Sequence, residues 1–382
     1  MVDAVIVEAV RTPVGKRNGG LAGVHPVDLS ALVLNELVRR AGVDPAEVED
    51  VVWGVVGQFG EQTYDTARMA VLAAGWPEEI PGVTVDRQCG SSQQAIHFAA
   101  QAVMSGAADV IVAGGVESMT RIPMGATISA DSNPYTAKGW MDRYGEVPNQ
   151  GIGAEMIAER WGLTRTQLDE FSLRSHERAA AAQDRGAFEA EIVAVPTDEG
   201  DFSVDQGIRR GGSVEKLAGL QPAFKPDGVI HAGNSSQISD GAAALLVMSS
   251  EKAKALGLTP IARYHTGVLA GADPMIMLTA PIPATEKALK RSGLSIGDIG
   301  AYEVNEAFAP VPMAWAKDLG ADDERLNPNG GAIAIGHPLG GSGARIATTL
   351  LHHMRREGIR YGLQTMCEGG GQANATIFEL LG

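Results

Sequence analysis

Cysteine is scarce: Cys89 and Cys367 are the only two among 382 residues. Two thiols cannot build a disulfide scaffold, and so few point to a reducing compartment. Positive charge is also short. Lys and Arg number 31 against 46 Asp and Glu, a formal net charge of −15. A field of that sign argues against nucleic-acid partners and anionic membrane surfaces, while leaving room for an anionic ligand at one local basic patch. No apolar run approaches the roughly 18 residues that a membrane span needs. The first residues, MVDAVIVEAVRT, carry acids and lack the basic start and cleavage pattern of an export signal. No His/Cys/carboxylate cluster has metal-ligand spacing. These absences predict a soluble, cytoplasmic protein with no bound metal, no nucleic acid and no membrane.

What is present is a chain long enough for two large domains, 45 % hydrophobic and 20 % charged, hence a packed rather than a disordered protein. Glycine is abundant, 48 residues, with no collagen-like period. That abundance suits tight turns and close backbone approaches. Short apolar runs at Val5–Val7, Val51–Val56, Val83–Val85 and Val110–Ala113 predict buried strands. Leu29–Ala41 and Ser91–Met104 carry apolar residues at helical spacing, Ala95, Ile96, Ala99, Ala102 and Val103 forming one stripe in the second. Alternating strands and helices predict an α/β protein.

The halves of the chain resemble each other. LVRRAGVDPAEVEDVVWG at Leu37–Gly54 aligns with ALKRSGLSIGDIGAYEVN at Ala288–Asn305, Gly42 falling on Gly293, and 293 − 42 = 251. CGSSQQA from Cys89 aligns with GGSGARI from Gly340, and 340 − 89 is again 251. A shared offset predicts two similarly folded halves, with a junction near residues 250–260. The division expected is residues 1–119 completed by 211–255, an inserted loop domain over 120–210 that carries substrate contacts, and a second half over 256–382.

Four stretches are candidates for chemistry. Cys89 follows the strand-like GVTVDRQ and precedes a helix, where unpaired N–H groups and the positive dipole end favour thiolate. A small buried hydrophobe is the competing reading. His337 lies among three glycine clusters in NPNGGAIAIGHPLGGSGAR, without the Gly-Lys-Ser/Thr of a phosphate loop. An imidazole held there can deprotonate a thiol, although a histidine in a turn is also a common structural element. Cys367 opens CEGGG, whose glycines free backbone N–H groups to stabilise an oxyanion, or form an ordinary turn. Asn305 opens NEAF after the apolar Ala301–Val304 and reads as a strand-end site residue or a helix cap.

Together these pieces resemble the thiolase family over essentially the whole chain, from VEAVRTPVGK through DRQCGSSQQA, GNSSQISDGAA, NEAFAP and NPNGGAIAIGHPLGGSGAR to CEGGG, in family order. The resemblance implies duplicated halves forming a five-layered α-β-α-β-α sandwich with an inserted loop domain. It also implies an acyltransferase that cleaves a 3-ketoacyl-CoA with coenzyme A, or runs the reverse condensation. Cys89 is then the acylated nucleophile, His337 its base and Cys367 the acid and base for the enolate and for incoming CoA. One oxyanion falls to His337 and an Asn305-held water, the other to the N–H groups of Cys89 and Gly369. CoA is a co-substrate, with no tightly bound cofactor. Arg209, in DQGIRRGG, falls near the nucleotide and Ser236, in GNSSQ, at the pantetheine.

Short-chain biosynthetic members carry His-Met-Gly where this chain has Asn149-Gln150-Gly151. That departure argues against a short-chain acetoacetyl-CoA specialism, and the CGSSQQA run is similar to actinobacterial thiolases of lipid or steroid degradation. Met124, Ile128, Tyr135, Trp140 and Met141 line an acyl pocket or pack the loop domain. The expected assembly is a homodimer, with a homotetramer as the alternative. A ketoacyl-synthase-like enzyme would place two histidines where Asn305 and Cys367 stand. A sterol-carrier-type thiolase would replace NEAF with a histidine motif. A non-catalytic acyl-CoA-binding protein would not require both cysteines, His337 and Asn305.

Overall fold

The computed structural model describes residues 2–129 and 132–381. Its strands are β1 (Ala4–Arg11), β2 (Gly15–Lys16), β3 (Asp50–Gly54), β4 (Gly82–Val85), β5 (Val110–Ser118), β6 (Val195–Thr197), β7 (Gly200–Phe202), β8 (Ser239–Ser249), β9 (Ala262–Gly271), β10 (Ala301–Val304), β11 (Tyr361–Glu368) and β12 (Gln372–Leu380). Its helices are α1 (Pro26–Ala41), α2 (Thr66–Ala73), α3 (Ser91–Ser105), α4 (Lys138–Tyr144), α5 (Gln150–Trp161), α6 (Arg165–Asp184), α7 (Val214–Ala218), α8 (Ser250–Ala255), α9 (Pro281–Ser292), α10 (Pro310–Leu319) and α11 (Ser342–Glu357).

Ten strands form one sheet in the order β10-β11-β12-β9-β1-β8-β5-β3-β4, with β2 beside β8. β3 runs parallel to β4 and β5, and β10 parallel to β11. Among the described residues, the halves pair in this sheet through Val5–Arg263 and Ile6–Ala262. Helices pack on both outer faces of the two half-sheets and between them, which makes five layers. Leu29, Val33, Leu34 and Leu37 of α1 pack on Val51, Trp53, Val112 and Leu246. Ile96, Ala99 and Val103 of α3 and Ala347, Leu350 and Leu351 of α11 pack between the halves, against Ile6, Val52, Ile111, Leu245 and Phe378. Ala284, Ala288, Val311 and Trp315 of α9 and α10 cover Leu363, Ala375 and Ile377 on the far side. Successive residues such as Val51 and Val52 thus enter different cores, because side chains alternate across a strand and both faces are covered.

The duplication is physical. β10 begins 301 − 50 = 251 residues after β3. α11 follows α3 by 342 − 91 = 251, and β11 follows β5 by 361 − 110 = 251. Gly42 and Gly293, also 251 apart, both close their helices in the left-handed region, at φ 68° and 74°, where glycine carries no Cβ penalty. β4 has no counterpart at this offset, since residues 333–336 form a turn leading into His337. The halves therefore diverge where they contribute different chemistry. Between β5 and β8 run α4 to α7 and the β6–β7 ribbon, and α8 separates the halves.

A buried charge network ties this intervening segment to the frame. The Arg11 guanidinium donates to Glu191 Oε1 at 2.6 Å and to both Asp205 oxygens at 2.8 and 3.0 Å, with all three residues almost fully buried. Asp205 also accepts from the Val14 N–H, and Glu191 from Thr349 of α11. Removing one partner of a buried ion pair costs about 3–5 kcal/mol, because the other charges are left uncompensated. Arg11→Met is expected to lower stability by that order, read as the midpoint shift in denaturant unfolding. An unchanged midpoint would show that the network bears no load.

Candidate active site

Cys89 sits in a turn between β4 and α3 that its neighbours fasten. Ser91 Oγ accepts from the Arg87 N–H at 2.9 Å and donates to the Gln88 carbonyl at 2.6 Å. The Gln88 N–H donates to Asp86 Oδ1 at 2.6 Å. Gln88 itself has φ 49°, a left-handed conformation costing a non-glycine residue roughly 1–2 kcal/mol. Such strain persists where surrounding structure enforces it, often beside a functional residue.

His337 arrives from the other half. Gly336, at φ 115°, turns the chain into it, and a Cβ there would meet Val14 Cγ1 at 2.8 Å. His337 Nδ1 lies 2.6 Å from Ser342 Oγ, which itself donates to the Pro338 carbonyl at 2.8 Å. Because the hydroxyl has one proton and spends it on Pro338, Nδ1 is the donor and Nε2 carries the lone pair. Nε2 lies 3.4 Å from Asn305 Nδ2.

The two loops meet by close backbone approach. A Cβ on Gly340 would lie 2.7 Å from the carbonyls of Gly54 and Val116, and one on Gly343 would strike the Gln93 backbone. Ser92 Oγ accepts from the Ala344 N–H at 2.9 Å, satisfying a first-turn donor of α11. Glu117, at the end of β5, accepts from the N–H groups of Val56, Gly57 and Gly340 and from Gln62 Nε2, at 2.6–3.0 Å.

Asn305 and Cys367 lie at the carboxyl ends of the adjacent strands β10 and β11. The Asn305 N–H donates to the Thr365 carbonyl at 3.1 Å. Asn305 is braced through Glu306, which accepts from Ser175 Oγ, Asn327 Nδ2 and the Ile333 N–H at 2.6–3.1 Å. Gly369 lies against Gln88, whose Oε1 would be 2.9 Å from an added Cβ. Cys89 and Cys367 are close enough to interact electrostatically. The structure therefore brings Cys89, His337, Asn305, Cys367 and Gly369 to one place.

A cavity of about 170 Å³ opens on this cluster, lined by Cys89, His337 and Ser236 together with Met124, Phe224 and Phe308. Burial governs its electrostatics. The Cys89 thiol is pushed up to about 12 by burial and then by Glu368. The expected thiolate preference at a helix start is thus outweighed by desolvation. Cys367 is driven well above the ordinary thiol range by burial and by Cys89. His337 is lowered to about 3 by burial and Arg345. At neutral pH the cluster holds two thiols and an uncharged imidazole, with Cys89 and His337 lining one cavity.

Arg209 lies apart from this cavity. It lines a surface groove with His176, Gly212, Lys216 and Gly233, its N–H donating to His176 Nδ1 at 3.1 Å. Gly233 in the groove and Ser236 in the cavity belong to one short segment, so the two are neighbours. Of the five suggested acyl-pocket residues, Met124 lines the cavity. Tyr135 and Trp140 stack edge-on with centroids 5.0 Å apart, and Ile128 and Met141 are exposed. Sequence reasoning missed Ser342, Glu117 and Glu306 as supports. Ser342 was findable, five residues after His337 at a helix start. The partners of Glu117 come from distant segments and left no local signal. Among the described residues no group of three or more His, Cys, Asp or Glu could hold a metal, and no helix is long and apolar enough to cross a membrane.

The chain matches the family models "Thiolase, N-terminal domain" over residues 4–251 and "Thiolase, C-terminal domain" over 258–380. It is 54 % identical over 388 residues to the steroid 3-ketoacyl-CoA thiolase FadA6 of Mycobacterium tuberculosis, covering 100 % of this chain and 95 % of that one. It is 47 % identical over 390 residues to the 3-ketoacyl-CoA thiolase of Aeromonas hydrophila, covering 99 % and 100 %. Among solved structures, the acetyl-CoA acetyltransferase of Bacillus anthracis superposes with a TM-score of 0.92 at 40 % identity, covering 100 % of this chain and 99 % of that one. Both halves of the sheet, the convergent cysteines and histidine, and this full-length likeness lead to one conclusion: the chain belongs to the thiolase family.

Proposed function

We propose that this chain cleaves 3-ketoacyl-CoA with coenzyme A, giving acetyl-CoA and a shortened acyl-CoA, and works in the degradative direction on lipid or steroid-type acyl groups. The observation carrying this reading is the pairing, in one cavity, of the Cys89 thiol with a neutral His337 whose lone pair is fixed on Nε2 by Ser342. Nε2 takes the thiol proton as Sγ bonds to the 3-keto carbon. The C2–C3 bond breaks, the acyl group stays on Cys89, and the acetyl-CoA enolate takes the proton of Cys367. The Cys367 thiolate then takes the proton of incoming CoA, whose sulfur attacks the thioester. Cys89 leaves as thiolate and recovers its proton from His337. A group with a free thiol pKa well above neutral suits the acid step, and the same group reversed suits the base step.

Backbone N–H groups of Cys89 and Gly369 serve one oxyanion, and His337 with Asn305 the other; losing one such donor typically costs roughly 10²–10³ in rate. The groove around Arg209 takes the nucleotide, and Ser236 the pantetheine arm that connects it to the cavity. The working division remains residues 1–119 with 211–255, the loop domain 120–210, and 256–382, in a cytoplasmic protein. A homodimer is supported by β4, a sheet-edge strand that among the described residues pairs only with β3, with Val83 on it 44 % exposed and Phe98 of the adjoining α3 41 % exposed. An exposed apolar edge is a template for a second chain.

Three outcomes test this. Intact-mass spectrometry with a 3-ketoacyl-CoA should show an acyl adduct that free CoA discharges and that Cys89→Ser abolishes. A protein that binds CoA unmodified would instead be a non-catalytic binding module, and a cleavage panel across acyl lengths, including a ring substrate, reads the preference. Ser342→Ala should lower kcat about 10- to 100-fold by releasing the His337 tautomer, with KM for CoA little changed; equal kcat would remove the base assignment. Val83→Lys should convert dimer to monomer in light scattering after size exclusion, and a dimer that survives would place the interface elsewhere.

A further inference from the structure

Glu368 stands between Cys367 and Gly369 and has no part in the steps above. It is fully buried at the end of β11, and neither carboxyl oxygen has a hydrogen-bond partner among the described residues. Its carboxyl is turned towards the start of α3. A Cβ built on Gly90 would overlap Oε1 and lie 2.7 Å from Cδ, so glycine at 90 is what leaves room for it. Asn374 Nδ2, on β12, donates to the Gly90 carbonyl at 3.0 Å and fixes this contact. Gly90 is bonded to Cys89. A buried carboxyl is thereby held one residue from the reacting sulfur, where water screens little.

We propose that Glu368 is a positioning residue whose ionisation state sets how readily Cys89 gives up its proton: the neutral carboxyl permits ionisation of the thiol, and the charged carboxyl opposes it. This rests on the reading of Cys89 as nucleophile. The surrounding groups define the balance. From the β4–α3 turn, Arg87 favours the charged carboxyl and Asp86 opposes it. On β12, the Asn374 backbone N–H lies outside hydrogen-bond geometry but still favours the charged form, while Gln372, uncharged, accepts from Arg87 at 3.0 Å. On α3, His97 is uncharged, lowered to about 3 by burial. On β11, Cys367 is a neutral thiol. Glu117 of β5 and Asp86 oppose the Cys89 thiolate from other sides. Burial outweighs Arg87, and Glu368 is raised to about 8. The carboxyl is then neutral through the physiological range and becomes a like charge beside Cys89 above it.

The test reads the thiol directly. Cys89 alkylation by iodoacetamide, mapped by peptide mass spectrometry, is followed from pH 6 to 10 in the wild type, Glu368→Gln and Glu368→Met. The profiles should coincide below about pH 7 and diverge above about pH 8.5, the variants reacting about tenfold faster, as a shift of one pH unit implies. The wild-type curve should also rise in two steps with an inflection near pH 8. Superimposed curves, or a constant ratio at every pH as a purely structural effect would give, overturn the proposal. A single-step wild-type curve overturns it without any variant. Failure of the catalytic reading is a separate result, an absent acyl adduct on Cys89, because alkylation reports ionisation and not turnover.

Discussion

Everything at the site depends on the backbone contact between the starts of α3 and α11. Gly340 and Gly343 let the second half's turn press against Gly54, Val116 and Gln93 of the first. Two helices from different halves therefore begin side by side, and the residues just before them, Cys89 and His337, are held in one cavity. Any larger residue at these glycines would push the halves apart. A displacement of an ångström between the thiol and the imidazole would cost a reaction that joins them about 10²-fold in rate. Glu117 closes the same junction by taking N–H groups from both sides of it.

The second consequence of that packing is dryness. Cys89, His337 and Cys367 are all nearly inaccessible, and burial moves each towards its uncharged form. The resting cluster of these three side chains is consequently neutral, and in the proposed reaction negative charge develops only as substrate reacts, where fixed backbone donors are worth most. Net negative charge on the whole chain is no obstacle to such chemistry, since the charge lies mainly on the surface. The buried carboxylates that do exist are either clamped by donors, as Glu117 and Glu306 are, or left with no partner, as Glu368 is. The clamped ones hold loops in place. Of the unpartnered ones, which include Glu303, Glu368 lies where a change of charge would be felt by the Cys89 thiol.

The sequence by itself determined much of the architecture. Apolar runs at Val51 and Val110 and the stripe in Ser91–Met104 correspond to β3, β5 and α3. The 251-residue offset recurs in strand, helix and cap positions, because period and glycine caps are local signals that survive divergence. β9 escaped notice although its burial alternates along Ala262–Val268, a pattern that polar residues such as Arg263 and His265 disguise. Tertiary structure alone decided the protonation logic. Position before a helix favours thiolate at Cys89, but the depth of burial and the nearness of Glu368 reverse that preference, and neither can be read from neighbours in sequence. The same holds for the lone pair of His337, fixed by a hydroxyl that is oriented only once Pro338 and the first turn of α11 are in place. Local sequence specified which groups were available; only the packing of the two halves set their distances and their solvation, and with these the reaction they can perform.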